Sequence, residues 1–232
     1  MSDIREISAA VHNRDKILIV DQAHGAHLKF FDNDTRYKHA AENLGADLVI
    51  NSTHKTLFSF TGSAVLNICA DRSGKIRVDV DKIGEILRML QTTSPSYLML
   101  ASLDMNENIM RRGGKNIVKK WKDDLTYFYL KRRDIPELVI IVTDDMDLSK
   151  INIAIKNSNI DQSFIRRSEI NRSGSMMPAD ELIKALAKEN IFAEKTPGDY
   201  VLLVTGAGTK RSDYDALLAA VQKIVQSNKT GD

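Results

Sequence analysis

The chain has 232 residues, 43% of them hydrophobic and 28% charged, with a net charge of +2, the composition of an ordinary globular protein of one large or two small domains. That balance excludes a global attraction to nucleic acid or to an anionic membrane surface, and no run approaches the roughly 20 apolar residues of a membrane span. A single cysteine, Cys69, excludes an intrachain disulfide and suits a reducing compartment, so with no apolar signal core near Met1 a cytoplasmic protein is expected.

In chain order, residues 1–13 predict a short helix with Ile4, Ile7 and Ala10 or Val11 on one face and Ser2 or Asp3 as its cap. Ile17-Leu18-Ile19-Val20 is a short unbroken apolar run, and so, after Ala46-Asp47, is Leu48-Val49-Ile50. Such runs read as strands buried on both faces of a parallel sheet. Between them residues 36–44 predict a helix ended by Gly45, completing a βαβ unit. Thr61-Gly62 turns the chain into a third buried strand over 63–68. A helix over 81–90 follows, with Ile83, Ile86, Leu87 and Leu90 as its apolar face. Pro95 opens another helix to about Arg112, with Leu98, Ser102, Met105 and Ile109 on one stripe. Gly113-Gly114 is expected to break that helix and to divide the chain into domains 1–112 and 113–232. Residues 115–133 then predict an amphipathic helix with Ile117, Val118, Trp121, Leu125, Phe128 and Tyr129 inward. Its basic face is interleaved with Asp123-Asp124, which favours a solvated surface over a nucleic-acid contact. Strands at 138–142, 151–155 and 200–205 and helices at 178–190 and 212–226 make the second half a smaller α+β unit, with the terminal Gly231-Asp232 expected to fray.

The first two strands end in Asp21-Gln22-Ala23-His24-Gly25-Ala26-His27 and in Asn51-Ser52-Thr53-His54-Lys55-Thr56. Polar residues just past strand C-termini line the ligand crevice of such sheets. A strand ending in Asp-x-x-His also suits a helicase-type NTPase, but that chemistry needs an upstream Gly-x-x-x-x-Gly-Lys-Ser/Thr phosphate loop. No glycine precedes the first strand, and Ser73-Gly74-Lys75-Ile76 lies downstream with Cys69 where the first glycine belongs. Taken singly, each site residue has a plainer role: a strand-end Asp caps a turn, a loop lysine is solvated, and a histidine makes a structural hydrogen bond.

Taken together, four blocks resemble the Orn/Lys/Arg decarboxylase family. They are Asp21-Gln22-Ala23-His24-Gly25-Ala26-His27, Ser52-Thr53-His54-Lys55-Thr56-Leu57, Thr92-Thr93-Ser94-Pro95-Ser96-Tyr97 and Ala101-Ser102-Leu103-Asp104, in that order. Asp147-Leu148-Ser149-Lys150-Ile151, Ser173-Gly174 and Ile191-Phe192-Ala193-Glu194-Lys195-Thr196 extend the likeness over nearly the whole chain, to the C-terminal part of the family alone. The resemblance implies an α/β fold: part of the large-domain sheet of the aspartate-aminotransferase fold (fold type I), followed by a small α+β domain. It implies pyridoxal 5'-phosphate (PLP) as cofactor and decarboxylation of lysine, ornithine or arginine toward a polyamine precursor. Lys55 would be the Schiff-base lysine, on a strand expected to be central, where an idle ammonium is costly. Asp21 would be the buried anion against the pyridinium nitrogen, His24 a contact to the ring's phenolic oxygen, and Ala23 the small residue beneath the ring. Ser52 and His54 would touch phosphate and cofactor, while Thr92 and Thr93 would reach the neighbouring subunit's phosphate site, or cap the helix after Pro95, or both.

The chain departs from the family in three places. Gln22 stands where a glutamate is usual, Thr61-Gly62 replaces Thr-Gln or Ser-Gln, and the phosphate loop and ring-stacking histidine have no equivalent among the 16 residues before the first strand. The expectation is therefore a chain with one part of a cofactor pocket. It would work as a homodimer or paired with a partner carrying the N-terminal half, or else stand as an inactive remnant or a complementing subunit.

Overall fold

A computed structural model describes residues 3–31, 39–71, 73–142, 146–156, 164–166, 176–194, 198 and 200–230. Residues 36–38 of the expected second helix, Ser173-Gly174, Lys195-Thr196 and Gly231-Asp232 lie outside the described residues. The chain divides into two compact units, one of residues 1–118 with Gly206–Gly208, the other of residues 119–205 with 209–232.

The first unit holds helix α1 (Ile4–His12), strand β1 (Ile19–Asp21), a four-residue helix α2 (Leu28–Phe31), a 3-10 turn (Ala41–Asn43), β2 (Leu48–Asn51), a second four-residue helix α3 (Thr53–Thr56), β3 (Val65–Ile68) and α4 (Val80–Leu90). Asp3 caps α1 by accepting from Glu6 N, and Asp79 caps α4 by accepting from Lys82 N, each satisfying a donor the helix start leaves over. The sheet order is β1-β2-β3, with β1 and β2 parallel and β2 and β3 antiparallel. The third strand cannot return parallel because a short helix and a turn stand where a crossover helix would be needed. Where a helix over 36–44 was expected, the described part is only the 3-10 turn, and Gly45, at φ 99°, ends it. A Cβ there would overlap Ser8 Oγ, which instead donates to Gly45 O at 2.9 Å and ties α1 to the start of β2. Asp47, buried, accepts from Leu18 N at 2.7 Å, faces His12 Nε2 at 2.9 Å and is approached by Arg77 at 3.6 Å.

One face of this sheet is covered. Ala41, Ala46 and Val49 form its core with Ile4, Leu18, Val20 and Cys69 packed against it. The other face is only partly covered: Leu48 is buried there, but Ile17, Ile19 and Ile50 are 41%, 58% and 37% exposed. Burial on both faces is thus corrected to full burial on one alone, because alternate residues of a strand point to opposite sides.

Helix α5 (Tyr97–Lys131) is one element of 35 residues. It runs unbroken through Gly113-Gly114, correcting the expected break. Two glycines in a helix interior cost about 1 kcal/mol each, less than flanking helical segments with buried side chains recover. The expected stripe of Leu98, Ser102, Met105 and Ile109 is also corrected. Leu98, Met105 and Ile109 are exposed, and the buried line is Ser102, Asn106, Met110, Gly114 and Val118, at strict four-residue spacing.

The second unit is a four-stranded sheet, order β6-β4-β5-β7, of β4 (Leu138–Val142), β5 (Lys150–Ile155), β6 (Phe164–Arg166) and β7 (Val201–Val204), with helices α6 (Ala179–Lys188) and α7 (Arg211–Thr230). β4 pairs antiparallel with β5 and parallel with β6, which was not anticipated; β5 pairs antiparallel with β7. Val139, Ile141, Ala154, Ile165 and Tyr200 form a closed core. Of the expected stripe, Val118, Trp121, Leu125 and Phe128 are buried, while Ile117 and Tyr129 are half-buried. Trp121 Nε1 donates to Thr205 Oγ1 at 3.0 Å, and that hydroxyl donates to Ser149 O at 2.6 Å. Asp124 is buried between Lys120 and Arg211. Burial pushes its carboxyl up, but the hydrogen bonds from the two cations outweigh this and hold it below the usual range. No helix of the described residues is long and apolar enough to cross a membrane.

If α5 is continuous at its glycines, Gly113→Ala should stabilise the protein. A Cβ there meets only Ile117 Cδ1, at an ordinary 3.7 Å, and alanine gains about 0.5–1 kcal/mol over glycine in a helix. Chemical denaturation reads the difference, and a destabilised variant would mean that the glycine serves as a hinge.

Candidate active site

β1 and β2 run side by side with Asp21 opposite Ile50, so both leave the sheet at the same end. Beyond β1 the chain turns sharply. Asp21 Oδ1 accepts from Ala23 N at 3.0 Å, Gly25 N donates to Gln22 O at 2.8 Å, and Leu28 N donates to Gly25 O at 2.9 Å. A Cβ on Gly25 would sit 2.7 Å from Gln22 Cγ and 2.9 Å from Leu28 Cδ1, so only glycine lets this turn close. Beyond β2, Ser52 occupies the N-cap position of α3 without a side-chain cap bond, and Lys55 is the third residue of that helix.

The two segments meet. Lys55 Nζ lies 2.9 Å from His24 Nε2; because an ammonium only donates, the imidazole nitrogen accepts and the ring proton sits on Nδ1. Asp21, His24 and Lys55 are all exposed, and Ala23 is half-buried. Burial of Asp21 and Lys55 was expected. They stand instead at the C-terminal edge of the sheet's open face, where Ile19 and Ile50 are also uncovered. His54 turns away from this group, its Nδ1 donating to Ser63 O at 2.8 Å. Thr92 Oγ1 accepts from Ser94 N at 3.1 Å, so Thr92 shapes the exposed turn before α5, and Thr93 lies exposed in the same turn.

The motif assigned no role to several supporting residues. Thr53, Ser59 and Ser63 form a buried hydroxyl cluster, with Thr53 Oγ1 and Ser63 Oγ each 2.6 Å from Ser59 Oγ. Asn106 and Ser102 on α5 accept from Phe58 N and Phe60 N at 3.0 and 3.2 Å. Ala207 N donates to Thr56 O at 2.8 Å, and a Cβ on Gly206 would meet that same oxygen at 3.2 Å. The loop after Lys55 is therefore held on several sides. A buried polar residue four positions on along α5 was the available sign: Ser102 and Asn106 fall on the inward line.

Behind the sheet end lies a cleft of about 650 Å³ whose lining includes Lys29, Glu42, Asn51, Asn67, Cys69 and Arg111. Glu42 is its polar centre. Oε2 accepts from Gln22 at 3.0 Å, and Oε1 accepts from Asn51 at 2.8 Å and Asn67 at 3.4 Å. Burial pushes the Cys69 thiol up, and the nearby Glu42 charge adds to the rise while Lys29 opposes it. The thiolate is the reactive form, so Cys69 should alkylate with iodoacetamide at neutral pH more slowly than an open peptide thiol, and Glu42→Gln should speed it. An unchanged rate in the variant would remove Glu42 as a cause.

A family model described as Orn/Lys/Arg decarboxylase, major domain, matches residues 1–138. The chain is 32% identical over 169 residues to an arginine decarboxylase of Halalkalibacterium halodurans, an alignment covering 68% of this chain and 32% of that protein. Its fold is similar to that of lysine decarboxylase A from Pseudomonas aeruginosa, with a TM-score of 0.72 at 16% identity over 98% of this chain and 35% of that one. It is also similar to an alanine–glyoxylate aminotransferase from Nostoc sp., with a TM-score of 0.65 at 13% identity over 94% of this chain and 56% of that one. The chain spans less than half the length of the curated relatives it matches. With residues 1–138 matched by one family and the fold shared with a lysine decarboxylase and an aminotransferase, the chain belongs to the Orn/Lys/Arg decarboxylase family and carries part of a fold-type-I α/β domain.

Proposed function

We propose that this chain supplies the lysine-bearing part of a PLP site for decarboxylating a basic amino acid: lysine, ornithine or arginine. The observation that carries the reading is the meeting of Lys55 Nζ with His24 Nε2 at 2.9 Å beside the Asp21 strand end. These residues fit one end of the cofactor. Lys55 offers an accessible amine to its aldehyde carbon, the exposed Asp21 carboxylate is available to a protonated ring nitrogen, and the half-buried Ala23 leaves room for a flat ring. Bound PLP would supply the electron sink into which the electrons of the broken Cα–carboxylate bond flow. His24 holds the lysine amine in place by accepting its hydrogen bond. As the acceptor, His24 would take up the proton that Lys55 must lose before its amine attacks the aldehyde, and Asp21 would keep the ring nitrogen charged by its own negative charge.

The phosphate end is thinner. Ser52 is free of a cap bond, but His54 is committed to Ser63 O and Thr92 to its own turn. Several preorganised donors are normally needed to hold a phosphate. Each missing charge-assisted hydrogen bond costs about 1.5–3 kcal/mol, so two or three weaken binding by orders of magnitude. The site is therefore read as completed by further polypeptide, in a homodimer or with a partner carrying the family's N-terminal half, in the cytoplasm. The open face bearing Ile17, Ile19 and Ile50 supports such a partner, since exposed apolar patches mark contact surfaces.

Two outcomes follow. The 232-residue chain with excess PLP should release little or no CO2 from lysine, ornithine or arginine, and activity should rise when the N-terminal half of a relative is added in trans. Robust turnover by the chain alone would show that its own residues complete the pocket. In the complemented enzyme Asp21→Asn should lower turnover about 10²–10³-fold, the usual cost of removing one preorganised electrostatic partner. Near-normal turnover would make Asp21 a turn residue only.

A further inference from the structure

We infer that Gln22 is a positioning residue for Lys55, acting through an amide–carboxylate lock with Glu42 that works only while position 22 is uncharged; this rests on the proposed PLP site. Gln22 is nearly fully buried, 9% exposed, directly behind the site. Its backbone and side chain bond to three segments at once. Gln22 N donates to Ile50 O at 2.9 Å, clasping the end of β1 to β2. Gln22 Oε1 accepts from Ala41 N at 2.8 Å, and Gln22 Nε2 donates to Glu42 Oε2 at 3.0 Å and to Asn51 Oδ1 at 3.1 Å. Gln22 O receives the Gly25 amide that closes the turn presenting His24, and Asn51 is the residue before Ser52, where the chain enters the helix of Lys55. One amide side chain thus fixes the spacing between the two segments that carry His24 and Lys55.

The polarity of the lock is specific. Glu42 accepts three amide hydrogen bonds, and both protons of the Gln22 amide are directed at oxygens. A carboxylate at position 22 would face the Glu42 carboxylate at about 3 Å, where two like charges cannot both persist and one proton is retained into the neutral range. The other charged and titratable groups lining the Glu42 cleft are Lys29 of α2, Glu107 and Arg111 of α5, and Cys69. Arg111 is paired with Glu107 at 3.2 Å and Lys29 is bonded to Asn43, so neither cation is placed to neutralise a second carboxylate without giving up its partner.

The test uses the full 232-residue chain, PLP as the aldehyde probe and borohydride reduction, with peptide mass mapping of the phosphopyridoxyl label. The readout is label on Lys55 divided by label on Lys184, an exposed lysine on α6, measured from about pH 6 to about pH 8.5 for wild type, Gln22→Glu and the exchange Gln22→Glu/Glu42→Gln. Expected is a wild-type ratio well above one. The Gln22→Glu ratio should match wild type at the acid end and fall about tenfold against it at the alkaline end as the shared proton leaves. The exchange variant has a single carboxylate and should lose that pH dependence. A merely structural role would weaken the site equally at all pH values and leave no rescue. A wild-type ratio near one would sink the PLP site itself. A Gln22→Glu profile parallel to wild type, or an exchange variant as pH-sensitive as the single one, would overturn the lock.

Discussion

The parallel pairing of β1 with β2 is the constraint on which the rest of the site depends. With Asp21 opposite Ile50, both strands end at the same level, and two segments 31 residues apart in sequence deliver Lys55 and His24 to within 2.9 Å. A register slip of one residue would send Ile19 and Asp21 to the covered face and Val20 to the open one. The apolar cluster of Ala41, Ala46 and Val49 with Leu18 and Val20 forbids that slip. Packing on one face of the sheet therefore sets the chemistry at its end.

The reinforcement around that pairing is polar rather than apolar. Gln22, Glu42, Asn51 and Asn67 form one hydrogen-bonded group behind the site, and Thr53, Ser59, Ser63, Ser102 and Asn106 form another around the loop after Lys55. Buried polar networks specify geometry more sharply than apolar contacts, because each unmade bond carries a desolvation cost. The two units differ in this respect. The second has a closed apolar core around Val139 and Ile141, whereas the first leaves one sheet face only partly covered and spends its buried polar groups on the segments that carry Asp21, His24 and Lys55.

Much of this could be read from sequence, for reasons particular residues make plain. The β-branched runs fixed the first strands and β4, the Trp121–Leu125–Phe128 spacing fixed the buried stripe, and the Asp21 and Lys55 blocks announced the family. Lys55 and Asp21 stand exposed in this chain because apolar runs say that a strand packs but not on how many sides, nor against which polypeptide. Gly113-Gly114 misled because a helix tolerates glycine when packing on either flank outweighs propensity. The four-residue spacing of Ser102 and Asn106 shows a shared helix face but not that Asn106 meets Phe58 N, 48 positions earlier in the chain. Gln22 was seen as a change beside the aspartate, and its ties to Glu42 and Asn51 depend on contacts distant in sequence.

The most direct test of the account is the stoichiometry and location of covalently trapped PLP. The complemented assembly would be equilibrated with PLP and reduced, and the product mapped. One phosphopyridoxyl group per chain on Lys55, abolished in Lys55→Ala, is the predicted result. Label distributed over surface lysines in proportion to their exposure, and unchanged in Lys55→Ala, would contradict the claim that these strand ends form a cofactor site.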